Sequence, residues 1–495
     1  MQTRREQVQA HRFVVSRLTT GLMRTDPDAL ESPNRRTNRG LAVGGGLGAV
    51  AAIGFLVFGF ISPGGSTAWQ DGKTLVVESG TGNRYLYDGS LRPVRNYASA
   101  RLIVGTGLST RTVPAASLAD TPRGSAVGIP GAPDTLPAAD RLDTGRWEVC
   151  ASTRTTGSSA HTPATTLVVD GATAGAGLPA GQALLVSGPD RTDYLVWRGN
   201  RYRLASGTAT AEALGYGAAD PLPVSAAFLD ALPAGADLAP PAVPGQGTAG
   251  PALDGRKTRV GQVFVVRTPG STERYYLLLR TGLVPLTATQ AALSLSGPGV
   301  REKAYGGAAP VAVAITADAL NGVLVQGDSD VETAGRALPA TPPALLPVSQ
   351  TQEACVRLRA AGGATATGTG TGAGVGVGVA VIDAGALPAH AKTPAGTACL
   401  PVDSVAVPPD GGSLVRALGA GGGQVGDTTY LVTETGMKYL VPSAAAAQDL
   451  GYDLSAARGL PSALLAMLPT GPDLSPQSAI AGEATAGTAP GCAAR

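Results

Sequence analysis

The hydrophobic pattern changes its period along the chain. Near the start, Val8, His11, Val15, Leu18 and Leu22 recur at three- and four-residue spacing, which lines one face of a helix. Thr3-Arg4-Arg5-Glu6 has the spacing of a capping box at the head of that helix. Gly21 weakens its last turn, and Asp26-Pro27 reads as the cap and first residue of another short helix. Residues 41–61 then read LAVGGGLGAVAAIGFLVFGFI, 21 positions without a charge. A helix of that length spans about 31 Å, the thickness of a bilayer's hydrocarbon core. Gly44 and Gly48, four apart, let another helix approach closely. Beyond this stretch the apolar runs shorten to the length of strands.

Those short runs repeat. Tyr194-Leu195-Val196 recurs as Tyr430-Leu431-Val432, 236 residues later, and Leu214-Gly215-Tyr216 meets Leu450-Gly451-Tyr452 at the same offset. Leu229, Leu232, Pro233, Gly235, Asp237, Leu238 and Pro240 meet Leu465, Leu468, Pro469, Gly471, Asp473, Leu474 and Pro476, so the duplication reads as free of gaps. A weaker copy precedes it: Val113, Leu118, Pro122 and Gly124 match Val224, Leu229, Pro233 and Gly235 at an offset of 111. Each copy opens with a short strand (Leu75-Val76-Val77, Leu184-Leu185-Val186, Phe264-Val265-Val266, Leu414-Val415), then a turn and a second strand led by Tyr85, Tyr194, Tyr275 or Tyr430. In the second and fourth copies an alanine-rich helix follows and ends at Gly215 or Gly451. A further helix there buries Phe228, Leu229 and Leu232, or Leu464, Leu465 and Leu468, before proline stops it. The third copy keeps the hairpin and Leu286 but lacks the LPxG ending, which leaves its helices unspecified. Repeats of this kind present a surface to a partner more readily than they build a catalytic pocket.

Charge sets the topology. Eight arginines (4, 5, 12, 17, 24, 35, 36 and 39) precede the apolar stretch, and the first basic residue after it is Lys73. The positive-inside rule keeps the N-terminus cytosolic and places the bulk of the chain outside the cell membrane, as a single-pass protein. A cleaved signal peptide, with Ser66-Thr67-Ala68 as the cleavage site, is the alternative; the long acidic-containing n-region (Glu6, Asp26, Asp28, Glu31) and long apolar run speak against it. The arginine-rich helix has the form of one that rests on anionic lipid or docks on a cytosolic partner. The net charge of +2 points to no nucleic acid. Apolar content of 43% argues against wholesale disorder.

Four cysteines (Cys150, Cys355, Cys399, Cys492) all fall on the predicted outer side, where disulfides persist. None has zinc or redox spacing, and four cysteines allow three pairings. Cys150 and Cys355 lie in two segments outside the repeats, roughly 125–175 and 305–400. If those segments meet, a bridge there closes a loop of about 200 residues, worth about 5 kcal/mol in the chain-entropy model. Cys399 with Cys492 then encloses the last repeat, or Cys492 stays free in the tail.

Catalytic chemistry is sparse. The histidines (11, 161, 390) are scattered, and neither HExxH nor GxSxG occurs. The nearest approach to a Walker A loop is Gly72-Lys73-Thr74, where Thr67 stands in place of the leading glycine and a strand rather than a helix follows. An ordinary turn is the better reading of it. The stretch Gly368-Thr369-Gly370-Thr371-Gly372-Ala373-Gly374 has no lysine and reads as a loop. No catalytic, cofactor or metal residues are assigned.

Several segments together resemble one family. They are Gln7-Val8-Gln9-Ala10-His11-Arg12-Phe13 with Arg17-Leu18, the span, Tyr85-Leu86-Tyr87 with Pro93-Val94, Ala100-Arg101-Leu102-Ile103-Val104-Gly105, and the LPxGxDL endings. In that order they are similar to EccB, the single-span component of the actinobacterial type VII (ESX) secretion machine. The resemblance implies an α+β fold: one N-terminal transmembrane helix, then an elongated exported body of β-hairpin/helix repeats around a β-rich central core. It implies that Cys150 and Cys355 are the core disulfide; Cys399 and Cys492 are not part of the family pattern. It implies an inner-membrane setting beside the EccC motor ATPase, EccD, EccE and the mycosin protease, with self-association of the exported domain. ATPase activity is ascribed to the family, so ATP is the one cofactor to weigh. The expected divisions are a cytosolic basic arm (1–40), a transmembrane helix (41–62), a linker (63–73), repeat one (74–124), a core segment (125–178), repeat two (179–240), a linker (241–257), repeat three (258–298), a second core segment (299–408), repeat four (409–478) and a tail (479–495). The function expected is a structural subunit of the secretion complex, with a cell-wall-binding protein or a non-Walker ATPase as alternatives.

Overall fold

The computed structural model describes residues 4–24, 33–61, 67–143, 145–156, 160–171, 173, 175–325, 329–360, 375–419 and 424–485. Thr3, Asp26-Pro27, Ser66, the glycine-rich stretch 368–374 and Cys492 lie outside them. The chain divides into two compact units, Met1–Leu91 with Thr110–Arg123, and Arg92–Ser109 with Gly124–Arg495.

The first unit contains a helix over Arg4–Arg24 whose apolar residues, Val8, Val15, Leu18 and Leu22 among them, are exposed. A second helix runs over Pro33–Ile61, so the apolar run occupies its C-terminal part. Proline suits a first helical turn and arginine is a good helix former, so helical geometry extends ahead of the apolar residues. Among the described residues this helix alone, over Arg36–Val57, is long and apolar enough to cross a membrane. Its Leu41, Leu47, Val50 and Phe55 are all exposed. The same unit pairs Thr74–Glu78 with Arg84–Tyr87, Val76 opposite Tyr85, around a small core of Trp69, Val76, Leu91, Val113 and Leu118.

The second unit is organised around a five-stranded sheet. Its spatial order is Gly376–Asp383, Gln352–Arg359, Arg146–Thr156, Ala160–Val169 and Ser404–Ala406, antiparallel except for the last strand. Successive residues of a strand point to opposite faces. Trp147, Val149 and Ala151 therefore join Val356 and Leu358 in the largest core, while Cys150 and Cys355 pack with Ala380 and Ile382 on the other side.

Three smaller sheets share one plan. They run Leu222–Pro223, Gln182–Ser187, Asp193–Trp197, Asn200–Arg203; then Val313–Ala314, Val263–Val266, Arg274–Leu279, Gly282–Leu286; then Arg458–Pro461, Gly412–Leu418, Gln424–Thr433, Lys438–Val441. In each, three consecutive strands form an antiparallel meander, and a later short strand joins the first in parallel. The hairpin read from the sequence is thus the first two strands of a shared four-strand plan, to which the second copy adds Ala344–Leu345 as a fifth, parallel to Gln182–Ser187. In the second copy the third strand, Asn-Arg-Tyr-Arg over Asn200–Arg203, is too polar to announce itself.

The helices that follow explain why leucine recurs there. Helices Ala226–Asp230 and Ser462–Ala466 bury Phe228, Leu229, Leu464 and Leu465, with Leu232 and Leu468 just beyond, in the same core as Trp147 and Val356. The third copy, whose helices the sequence leaves unspecified, has one over Ala288–Leu295, held by a capping box between Thr287 and Gln290. One correction emerges. The duplication contains a gap. Arg201 and Lys438 occupy the same bridge position, to Ala234 and Thr470, so the third strands correspond at an offset one greater than 236. The fourth copy has the longer hairpin turn, and the second copy regains the residue before its helix over Thr208–Ala213.

Candidate functional site

The best-built site in the second unit is structural, and it starts from the register of the central sheet. Cys150 lies directly opposite Cys355 and Glu148 opposite Arg357. The two cysteines form a disulfide across 205 residues of chain, with Cα atoms 4.0 Å apart. Two residues along the same face, Arg357 Nε lies 3.2 Å from Glu148 Oε1. Arg357 also donates from Nη1 to the Gly175 carbonyl at 2.7 Å and from Nη2 to the Thr173 carbonyl at 2.8 Å. The Thr173 hydroxyl donates to the other Glu148 oxygen. A buried acid loses its desolvation cost only when its oxygens are satisfied, and here both are.

On the opposite face, the fully buried Trp147 donates its indole N–H to Asp143 Oδ2 at 2.6 Å. Asp143 is pushed up to about 6 by burial, against the pull of that hydrogen bond. Its own amide donates to the Gly412 carbonyl at 2.8 Å, which ties the central sheet to the last repeat.

The repeats hold the intervening segments by matching contacts. Tyr216 donates its hydroxyl to the Pro343 carbonyl at 2.8 Å, and Tyr452, its counterpart, donates to the Pro137 carbonyl at 2.7 Å. Burial raises both phenols far above their ordinary range. The LPxG glycines have an equally concrete role. A side chain on Gly235 would collide with the Tyr202 ring, and one on Gly471 with the Tyr439 ring. The motif carries glycine because an aromatic ring lies flat against the backbone there. The cation between them differs: Arg201 pairs with Asp230 at 2.9 Å, whereas Lys438 donates to the carbonyls of Leu465 and Leu468 at 2.5 and 2.6 Å, at the end of a helix whose matching residue is Ala466. Burial draws Lys438 down to about 8.

The nucleotide candidate Gly72-Lys73-Thr74 folds as a turn. Asp71 Oδ1 accepts from the amides of Lys73 and Thr74, both at 2.8 Å, and Oδ2 accepts from the Thr74 hydroxyl at 3.0 Å. These hydrogen bonds, led by the Lys73 amide, hold the Asp71 carboxyl below its usual range. A carboxylate therefore occupies the position that a phosphate would need, and repels it. Glu148, Cys150 and Cys355 lie close enough to suggest a metal, but both sulfurs are in the disulfide and Glu148 is held by Arg357 and Thr173. Cys399 is also disulfide-bonded. The ionic pair and the tyrosine contacts escape sequence reasoning, since each joins residues more than a hundred positions apart with no local signature.

The chain matches the family described as type VII secretion system ESX-1, transport TM domain B, over residues 1–487. It is similar to the ESX-3 secretion system ATPase EccB3 of Mycolicibacterium smegmatis, 32% identical over 296 residues, which cover 58% of this chain and 56% of that protein. The alignment thus spans little more than half the length of that relative. Among solved structures, the EccB3 dimer from the ESX-3 core complex matches with a TM-score of 0.63 and 26% identity, covering 82% of this chain and 99% of that one. The periplasmic assembly from the ESX-5 inner membrane complex matches with a TM-score of 0.64 and 25% identity, covering 85% and 98%.

Proposed function

The chain belongs to the EccB family of type VII (ESX) secretion membrane proteins, and on that premise we propose that it is a structural subunit of such a secretion complex. One observation carries the proposal. The family match runs through both the candidate membrane-spanning helix and the bridged, repeat-held body, so anchor and scaffold fall within one family architecture. The helix Pro33–Ile61 anchors the chain in the cell membrane, the arginine-rich helix Arg4–Arg24 lies in the cytosol, and the sheets stand outside. The oxidised Cys150–Cys355 pair fits an extracytoplasmic location. Its partners are the EccC-type motor ATPase, EccD, EccE and the mycosin protease, and the exported body self-associates, as the EccB3 dimer does.

A second reading rests on the name of the ESX-3 relative, which calls it an ATPase. The Asp71 turn speaks against a phosphate site at Lys73. Affinity purification of a C-terminally tagged chain from gently solubilised native membranes, followed by mass spectrometry, decides between the readings. Recovery with a motor ATPase, a multispan channel subunit and a mycosin supports the scaffold. Recovery alone in a small particle refutes it and moves attention to hydrolysis or wall binding.

A further inference from the structure

We propose that the second sheet, numbered like the fourth by the repeat it belongs to, carries a pocket for a small organic oxyanion, a sugar-sized ring bearing a carboxylate or a phosphate, beside the turn Arg198-Gly199. The pocket encloses about 570 Å³ and is lined by Trp197, Arg198, Tyr202, Arg336 and Thr341, with no acidic side chain in its wall. Cavities of this size suit small ligands.

The first argument is the turn itself. Trp197 pairs with Asn200, so Arg198 and Gly199 form a two-residue hairpin loop, with φ of +47° and +74°. Such loops favour Asn, Asp or Gly at the first position, because other side chains are strained at positive φ. Arginine is therefore not there for the turn. Gly199 is, since any side chain on it would strike the Val377 carbonyl. That contact seats the turn firmly.

The second argument is that the repeat does not require these residues. The matching turn of the fourth sheet reads Glu434-Thr435-Gly436-Met437 and contains neither tryptophan nor arginine, yet the meander is the same. In the second sheet the indole is fixed by donating to the Ala180 carbonyl at 2.9 Å. The Arg198 guanidinium lies 4.6 Å from the centre of the Trp197 ring, and the Tyr202 ring centre is 6.0 Å from that of Trp197. The indole attracts the guanidinium through a cation–π contact, and a guanidinium can receive a carboxylate or phosphate in two parallel hydrogen bonds. Arg336 also lines the pocket, with Glu332 3.5 Å from its guanidinium as a local counter-charge, so Arg198 is the principal anchor of the site. Tyr202 is buried and backs the indole, so the Trp197 edge, Thr341 and the Pro342-Pro343 wall are what a sugar ring would meet.

The test uses the full chain in detergent at low salt, with glucuronate, glucose 6-phosphate and glucose as probes, followed by calorimetry and saturation-transfer NMR. Binding of either acid without glucose supports the site, and the acid that binds identifies the anion as carboxylate or phosphate. Arg198→Gly removes the guanidinium while giving the turn a residue it prefers, so affinity falls by about tenfold or more while the melting temperature does not drop. Arg336→Gln, away from the turn, weakens binding independently of any change in the loop. The proposal is overturned if neither acid binds at millimolar concentration, if glucose binds as well as the acids, or if both variants keep full affinity.

Discussion

Glu353 should make the protein less stable as the pH rises toward neutrality. It lies on the strand Gln352–Arg359, two residues before Cys355 on the same face, opposite Ile382 of the neighbouring strand. It is 6% exposed, and its Oε2 has no hydrogen-bond partner among the described residues. Burial pushes its carboxyl from the ordinary 4.5 up to about 7. The folded state therefore holds this proton more tightly than the unfolded chain. Its contribution is fully present below the unfolded value and is lost as the pH climbs through the folded one. At about 1.4 kcal/mol per pH unit, the loss comes to about 3 kcal/mol once both states are ionised. Asp143 behaves in the same sense with a folded value near 6, and it is present in both proteins of the comparison, so it cancels. The variant Glu353→Gln cannot ionise. Urea unfolding of the full chain in detergent, followed by tryptophan fluorescence, to which the buried Trp147 beside this sheet contributes, is run at pH 5 and pH 8. The difference between variant and parent should shift in the variant's favour by about 2 kcal/mol across that interval. Any constant cost of burying the amide drops out of that difference. An equal gap at both pH values would show that Glu353 is not held neutral by its surroundings, and the reasoning would fail.

Other consequences follow from the same contacts. Replacing both Cys150 and Cys355 by serine frees a loop of 205 residues and should cost about 2–5 kcal/mol of unfolding free energy, read by urea titration with and without reductant; an unchanged midpoint would remove the bridge from the stabilising contacts. Gly471→Ala forces a methyl group into the Tyr439 ring and should cost about 1–3 kcal/mol by overpacking, whereas Gly378→Ala, where nothing lies near the added carbon, serves as the tolerant control. Protease treatment of intact spheroplasts should remove a C-terminal tag and spare an N-terminal one; the reverse pattern would invert the topology proposed from the arginines.

Much of the repeat was legible because Leu, Pro, Gly and Tyr report packing that must be satisfied in each copy. The recurrence of Gly235 and Gly471 reflects a ring lying against the backbone, and that of Tyr216 and Tyr452 a hydroxyl reaching a proline carbonyl. The third copy lacks the LPxG ending that specifies helices in its siblings, but Thr287-x-x-Gln290 carries a local capping signal for its helix. Asp71 likewise stood two residues before Lys73, the spacing of a side chain that captures nearby amides. The two-residue parallel strands Leu222–Pro223 and Val313–Ala314 were beyond reach, since no periodicity fits into two positions. The Glu148–Arg357 pair was equally hidden, as only the sheet register brings those residues together.

The differences between the copies carry as much meaning as their likeness. Arg201 and Lys438 stand at one bridge position, yet the arginine is neutralised by Asp230 and the lysine by helix-end carbonyls, with Ala466 where the acid would be. One cation is half-buried and the other buried, and both are satisfied, so the backbone plan does not depend on which solution is used. The same holds for the turns: Arg198-Gly199 and Glu434-Thr435-Gly436-Met437 close the same meander with opposite charges. Selection for folding alone would accept either turn in either copy. An arginine held at positive φ beside an indole is the costlier choice for the second copy, and it is the copy-specific surface that a ligand or partner would read. Exchanging the two turns between the copies separates these demands. If the plan is as independent of charge as the Arg201 and Lys438 contacts indicate, the exchanged chain folds, and the oxyanion affinity leaves the second sheet.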